Sequence, residues 1–260
     1  MQNEAEIRLI AFLAIFAIFA VWEWITPYRQ MRFTRRQRWP SQLGLIALNG
    51  LLLRIVFPMA AVGIAEYINA REWGLMNLFS VPYVLASIGG FILLDFTIYW
   101  QHVVAHRLNW FWRLHRTHHA DTDFDLTTGL RFHPLEILLS MLIKAIAIAL
   151  FGIPVIAVLL FEIVLSGSAM FNHSNIQLPD HIERRLRKLI VTPGMHRIHH
   201  STERFEHDSN YGFFLSVWDR WFNSYTAQSQ QDDRTMPIGL KQFREKEERR
   251  LGRILTIPFK

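Results

Sequence analysis

Eight of the twelve histidines in this 260-residue chain fall into three short clusters. His102 and His106 are four apart. His115, His118 and His119 form an HxxHH pattern, and His196, His199 and His200 repeat it. A neutral imidazole can give one ring nitrogen to a metal while the other is oriented by a hydrogen bond. On a helix, spacings of three and four bring such rings onto one side, where they converge on a point. A lone histidine is ordinarily a solvated or hydrogen-bonded side chain, so the repetition of ligand spacing is what carries the reading. Eight imidazoles exceed the needs of one four-coordinate ion, and the count predicts a two-metal site. Ring type alone leaves zinc, copper, iron and nickel open.

The chemistry of such a site narrows by what accompanies it. Hydrolytic zinc sites pair two ligands with a glutamate base, yet neither HExxH nor HxxEH occurs, and no GxSxG nucleophile is present. Redox iron activating dioxygen would permit oxidation of an unactivated C–H bond. Tyr99, Trp100, Trp110, Phe111 and Trp112 flank the first clusters, where rings either exclude water or simply pack. No GxGxxG, Walker or flavin signature is found, so a redox reading requires a separate electron donor. Two other classes stay open: a zinc-dependent membrane hydrolase, and a non-catalytic metal- or lipid-binding membrane protein.

The elements that must position these rings are apolar helices. Half of the chain is hydrophobic, and it has no cysteine, which excludes disulfides, iron–sulfur clusters and thiol catalysis. The formal charge of +6 sits beside apolar runs, which fits a membrane surface rather than nucleic acid. Residues 7–25 are long enough to span a bilayer. The preceding EAEIR is not basic and WEWITP follows instead of a cleavage site, so a transmembrane helix is expected rather than a signal peptide, with Trp22 and Trp24 as interfacial anchors. Arg29, Arg32, Arg35, Arg36 and Arg38 then make a cytoplasmic loop by the positive-inside rule. Residues 43–65, with Arg54 and Pro58 inside, should cross outward, residues 66–80 connect, and residues 81 to about 100 return. That parity puts the first clusters on the cytoplasmic side. Residues 136–171 cannot cross once without separating the last cluster from the others. Gly152 and Pro154 divide this run into two short pieces, so a helical hairpin is expected, with Lys144 needing a polar neighbour. The stretch 181–194 reads as a basic helix on the headgroups, apolar at Ile182, Leu186, Leu189 and Ile190, with His181 interfacial. Residues 241–255 read as a charged, solvated helix.

HxxxH, HxxHH and HxxHH, in that order after a transmembrane helix, resemble the fatty acid hydroxylase/sterol desaturase superfamily of integral membrane di-iron oxygenases. The likeness covers roughly residues 90–225. It extends to LTTGLRFHPLE at 126–136, NHSN at 172–175 and DSNYGFFLSVWDRWFNSY at 208–225. The resemblance implies an all-α polytopic membrane fold of about three transmembrane helices plus the hairpin, with a cytosolic helical cap around the di-metal site. It divides the chain into an N-terminal transmembrane region (1–80), a catalytic domain (81–225) and a charged cytosolic tail (226–260). It implies two irons, with zinc as a substitute in purified protein, dioxygen as co-substrate, and hydroxylation or desaturation of a sterol, fatty acyl or related lipid. The eight clustered histidines match the family's ligands, and His173 stands where members carry a further one. His133, which could instead face the substrate, His207, which is also a weaker ligand candidate, and Asp95, Asp121, Asp125, Asp208 and Asn210 are candidates to support the ligands; an aspartate would do so by accepting a ring N–H. His133-Pro134 is followed by Leu-Glu rather than the paired glycines of a fused cytochrome b5 domain. The implied donor is therefore a separate ferredoxin, cytochrome b5-like protein or reductase. The bacterial inner membrane is the expected location, or the endoplasmic reticulum in a eukaryote.

Overall fold

The computed structural model describes residues 3–260, and among them it is all-helical, without a β-strand. α1 (Glu4–Ile25) is apolar around its whole circumference, and Glu23 is its one buried residue. It turns Leu9, Ile10, Leu13 and Ile18 outward, as a helix bathed in lipid does. Trp24, 75% exposed, lies at its end, where an interfacial anchor belongs.

α2 (Arg35–Val56) starts at Thr34, whose backbone N–H donates to Gln37 Oε1 at 3.0 Å. It begins well before the expected crossing. Residues 57–59 then interrupt it around Pro58, which has no N–H to give the helix, and α3 (Ala60–Asn69) continues the run. The expected crossing over 43–65 is therefore two helices meeting at a break. Arg54 is exposed on α2 and does not face the bundle. After the single-turn α4 (Leu75–Leu78), α5 (Tyr83–Arg107) runs past the expected end near residue 100. His102 and His106 thus continue the membrane helix itself. α6 (Asn109–His119) follows directly.

α7 (Pro134–Phe151) and α8 (Val155–His173) are the expected pair. Gly152 joins them in the left-handed region at φ 67°, and a Cβ there would lie 2.5 Å from the Trp73 carbonyl oxygen. At the opposite end, α7 is capped by His133 and α8 finishes at His173, both beside the histidine clusters. The pair enters and leaves at one end of the bundle, which makes it a hairpin. Among the described residues, five helical segments are long and apolar enough to cross a membrane: 4–25, 35–69, 83–107, 134–151 and 155–173. The chain is an integral membrane protein. Leu94, Ile98, Ile148, Val158 and Phe161 form its apolar centre with Ala61 and Val62. Lys144 finds its polar neighbour in Glu162, Nζ to Oε1 at 2.5 Å, and Arg8 reaches the other carboxylate oxygen at 3.0 Å. Three charges between apolar helices are tolerable only because they are paired.

The remaining elements cover the histidine end. α9 (Asp180–Leu186) is short and exposes Ile182, with Leu189 exposed beyond it. α10 (Pro193–His199), α11 (Arg204–His207) and α12 (Val217–Trp221) follow. The expected solvated helix over 241–255 is not formed. It divides into a 3₁₀ turn (Lys246–Arg249) and α13 (Leu251–Ile254), separated at Arg250 by extended backbone. Ile254 and Ile257 are fully buried, and Arg116 donates to the Ile257 carbonyl at 2.7 Å. The alternation of charge outweighed these few isoleucines in the sequence pattern, but their burial ties the tail down.

Candidate metal centre

The site follows from helix geometry. His102 and His106 lie one turn apart on α5, and His115 and His119 one turn apart on α6, so each pair shares a face. With His199 they form one buried group whose candidate ligand atoms all lie within 4.8 Å of one another. His118 precedes His119 by one residue and is rotated by ~100°. It joins His173, His196 and His200 in a second group. The two HxxHH motifs are thus used in opposite senses. The first gives its i, i+4 pair to the five-histidine group and its odd member to the four-histidine group; the second does the reverse. His173 is drawn into the second group by the return of α8.

The rings are aimed from behind. His102 Nδ1 meets the Tyr211 carbonyl at 2.7 Å, His199 Nδ1 that of Ser209 at 2.6 Å, and His173 Nδ1 that of Ala169 at 2.7 Å. His115 Nδ1 donates to Glu136 Oε1 at 2.6 Å, and His106 Nδ1 to Asp208 Oδ1 at 3.4 Å. With Nδ1 so engaged, Nε2 is left as the inward-facing acceptor. Nε2 of His102, His106, His115 and His199 is buried without any hydrogen-bond partner. In the second group, His173 Nε2 lies 3.0–3.1 Å from Nε2 of His118, His196 and His200. Buried lone pairs converging in this way are costly unless something satisfies them, and a metal ion in each group would do so. Burial and the neighbouring rings hold His118, His119, His196, His199 and His200 well below the usual histidine range. They remain neutral, which is the form that binds metal.

The flanking candidates divide. Asp208 lies beside His106, Oδ1 to Nδ1 at 3.4 Å. Asp95 does not hold a histidine; its Oδ2 accepts from Trp218 Nε1 at 2.8 Å and from the Leu215 backbone N–H. Asp121 and Asp125 turn to Arg38 instead, because a buried guanidinium needs counter-charges more than a neutral ring does. Asn210, at φ 53°, donates to the Met195 and Thr226 carbonyls and fixes a turn. His133 caps α7 through Leu135 N–H, and its Nε2 lies 3.3 Å from the Leu255 carbonyl. His207 stands outside both groups and stacks on Trp112, ring centres 5.5 Å apart. His181 is exposed on α9.

Four contributors were missed. Glu136 resembles an ordinary first-turn acid of an apolar helix. Tyr211 packs its ring on His102, His106 and His199. Asp219 accepts from the backbone N–H groups of Tyr211 and Gly212 at 2.7 and 2.8 Å, holding the carbonyl that meets His102. Burial pushes its carboxyl up to about 6. Glu23 sits among tryptophans at the end of α1, where no local pattern marks it.

An all-helical membrane bundle carrying two buried histidine groups at one end, each able to hold a metal ion, defines a recognisable class. The sequence model of the fatty acid hydroxylase family matches residues 87–224, more than half of the chain, and the chain belongs to that family. Human alkylglycerol monooxygenase is 31% identical over 61% of this chain and 35% of its own length. The ornithine lipid hydroxylase OlsE of Rhizobium tropici is 24% identical over 83% of this chain and 66% of its own. A putative Delta(7)-sterol-C5(6)-desaturase of Arabidopsis thaliana is 29% identical over 58% of this chain and 48% of its own. The chain therefore spans about a third of the human relative's length and about two thirds of the Rhizobium relative's. No solved structure matches it.

Proposed function

We propose that this chain is a dioxygen-dependent lipid hydroxylase whose two histidine groups each hold an iron ion. The observation that carries the reading is the set of nine buried rings, most with their outer nitrogens tied back and their inner ones converging on two points. Iron so held would supply the dioxygen activation that an unreactive C–H bond requires. The five-histidine group comprises His102, His106, His115, His119 and His199. The four-histidine group comprises His118, His173, His196 and His200.

The chain's own residues supply position and dryness. Glu136 and Asp208 fix ring orientation by accepting N–H bonds from His115 and His106. Phe132 lies flat on His118 with ring centres 4.4 Å apart, and Phe124 packs on His173 and His200. These rings keep water from the second group. Glu136, the glutamate bonded to His115, is committed to orienting a ring, which speaks against its use as a hydrolytic base.

Hydroxylation is favoured over desaturation because the human relative, 31% identical, is an alkylglycerol monooxygenase and the Rhizobium relative, matched over 83% of this chain, is an ornithine lipid hydroxylase. The substrate class is a lipid with its chain in the bilayer. Electrons come from a separate ferredoxin, cytochrome b5-like protein or reductase. The arginine-rich stretch 29–38, a loop only as far as the start of α2 at Arg35, lies at the histidine end, which favours a cytoplasmic placement of the site; the membrane we propose is the inner membrane of a bacterium. Three arginines of the stretch also have structural partners: Arg29 at the Met236 carbonyl, Arg35 at Glu23 and Arg38 at Asp121.

The test is oxidation of a membrane lipid extract by iron-loaded protein with a chemical reductant under ¹⁸O₂. A product carrying ¹⁸O is expected, and it should be absent under argon. Oxygen-independent ester cleavage by zinc-loaded protein would overturn the reading in favour of hydrolysis.

A further inference from the structure

Glu23 lies near the end of a lipid-facing helix and is only 2% exposed. Its Oε1 accepts two backbone N–H groups, from Leu126 at 2.7 Å and from Asn175 at 2.8 Å. Those two segments follow different ligands. Asn175 is two residues beyond His173, and Leu126 lies in the loop that leaves His118 and His119. The same loop presents Phe124, whose ring packs on His173 at 5.4 Å and on His200 at 5.3 Å. Arg38 reinforces this attachment through Asp121 and Asp125. The five-histidine group is oriented by other parts of the chain, namely Glu136, Asp208, Ser209 and Tyr211.

We propose that Glu23, outside the matched family region, is a positioning residue for the metal of the four-histidine group alone. A side-chain oxygen that accepts from two backbone donors fixes the spacing between their segments, because both bonds end on one atom. Here the fixed spacing is between the loop behind His118 and the strand of chain behind His173, whose Nε2 atoms lie 3.1 Å apart. The N-terminal helix therefore acts as a clamp on one metal subsite as well as a membrane anchor. The Arg8–Glu162 pair holds its opposite end to α8. This inference rests on the reading of the nine histidines as a two-metal site.

The experiment is stepwise anaerobic loading of the full chain with ⁵⁷Fe, read by bound-iron stoichiometry and Mössbauer spectroscopy. Glu23→Leu should retain the five-histidine iron and lose the other, removing one of two spectral components. Glu23→Gln keeps an oxygen that accepts both N–H bonds and should restore both components. Where Glu23→Leu does not fold, Glu23→Asp, whose carboxylate is withdrawn by one methylene, should show the same selective loss. A folded Glu23→Leu or Glu23→Asp protein that keeps both irons with unchanged spectra would overturn the clamp, as would one that loses both irons together. A wild type that binds one iron or none would overturn the two-metal reading, and the clamp with it.

Discussion

At the scale of residues, supporting contacts matter nearly as much as the ligands. Glu136 shows this most directly. Replacing it by alanine leaves His115 Nδ1 without its acceptor, and the ring loses both orientation and basicity. Metal affinity should fall about 10–100-fold, measured by competition with a chelator, while helix content stays unchanged. The pH response follows from the neutral rings. Their folded-state values lie below the unfolded 6.5, so the stability they contribute is present above that pH and lost as pH falls through it. Asp219 acts oppositely: with its value raised to about 6, its contribution to stability falls as pH rises from about 4 to about 6. Each group contributes up to about 1.4 kcal/mol per pH unit, so five histidines outweigh one aspartate. Metal-free protein should therefore lose thermal stability steadily below pH 6.5, and flat behaviour down to pH 5 would contradict the neutral, buried rings. The histidines themselves were legible because ligand spacing is written into the helix period. Asp95, Asp121 and Asp125 were misread because sequence cannot say whether a nearby indole or guanidinium will reach the carboxylate first.

At the scale of elements, the site depends on how closely α8 approaches the loop after α6. Gly129 is the contact point. A Cβ there would sit 2.2 Å from the Ala169 carbonyl oxygen and 2.8 Å from His173 Nδ1. Gly129→Ala should cost about 3 kcal/mol or more, since both neighbours are packed and one is backbone. Its thermal midpoint should drop, and the metal bound through His173 should be released first on chelation. The hairpin was legible because Gly152 and Pro154 break the apolar run and the chemistry demanded a return, but its arms are longer than expected, since α7 and α8 extend beyond 136–171 and each is long enough to cross. The bend at Pro58 and the early start of α2 were not, since Pro58 lies inside an otherwise unbroken apolar run. The tail was misread for a different reason: a dense charge pattern masked the two isoleucines that decide where it lies.

At the scale of the whole molecule, a lipid-facing bundle holds a dry polar site at one end and a charged cluster between its helices. Glu162→Gln should leave Lys144 without its counter-charge, while Arg8 keeps Glu4, and cost about 3–5 kcal/mol. Combining it with Lys144→Met should recover much of that loss in a thermal unfolding assay, because the uncompensated cation is gone. All of this serves one arrangement, nine histidines drawn from four helices and the turn that ends α10, which we propose hold two metals. Its most direct test is ⁵⁷Fe Mössbauer spectroscopy on anaerobically purified protein, with iron counted per chain. The account predicts two irons in two distinct nitrogen-rich environments, the first lost in His106→Ala and the second in His196→Ala. A single iron, or a site that takes zinc and refuses iron offered in excess, would contradict it.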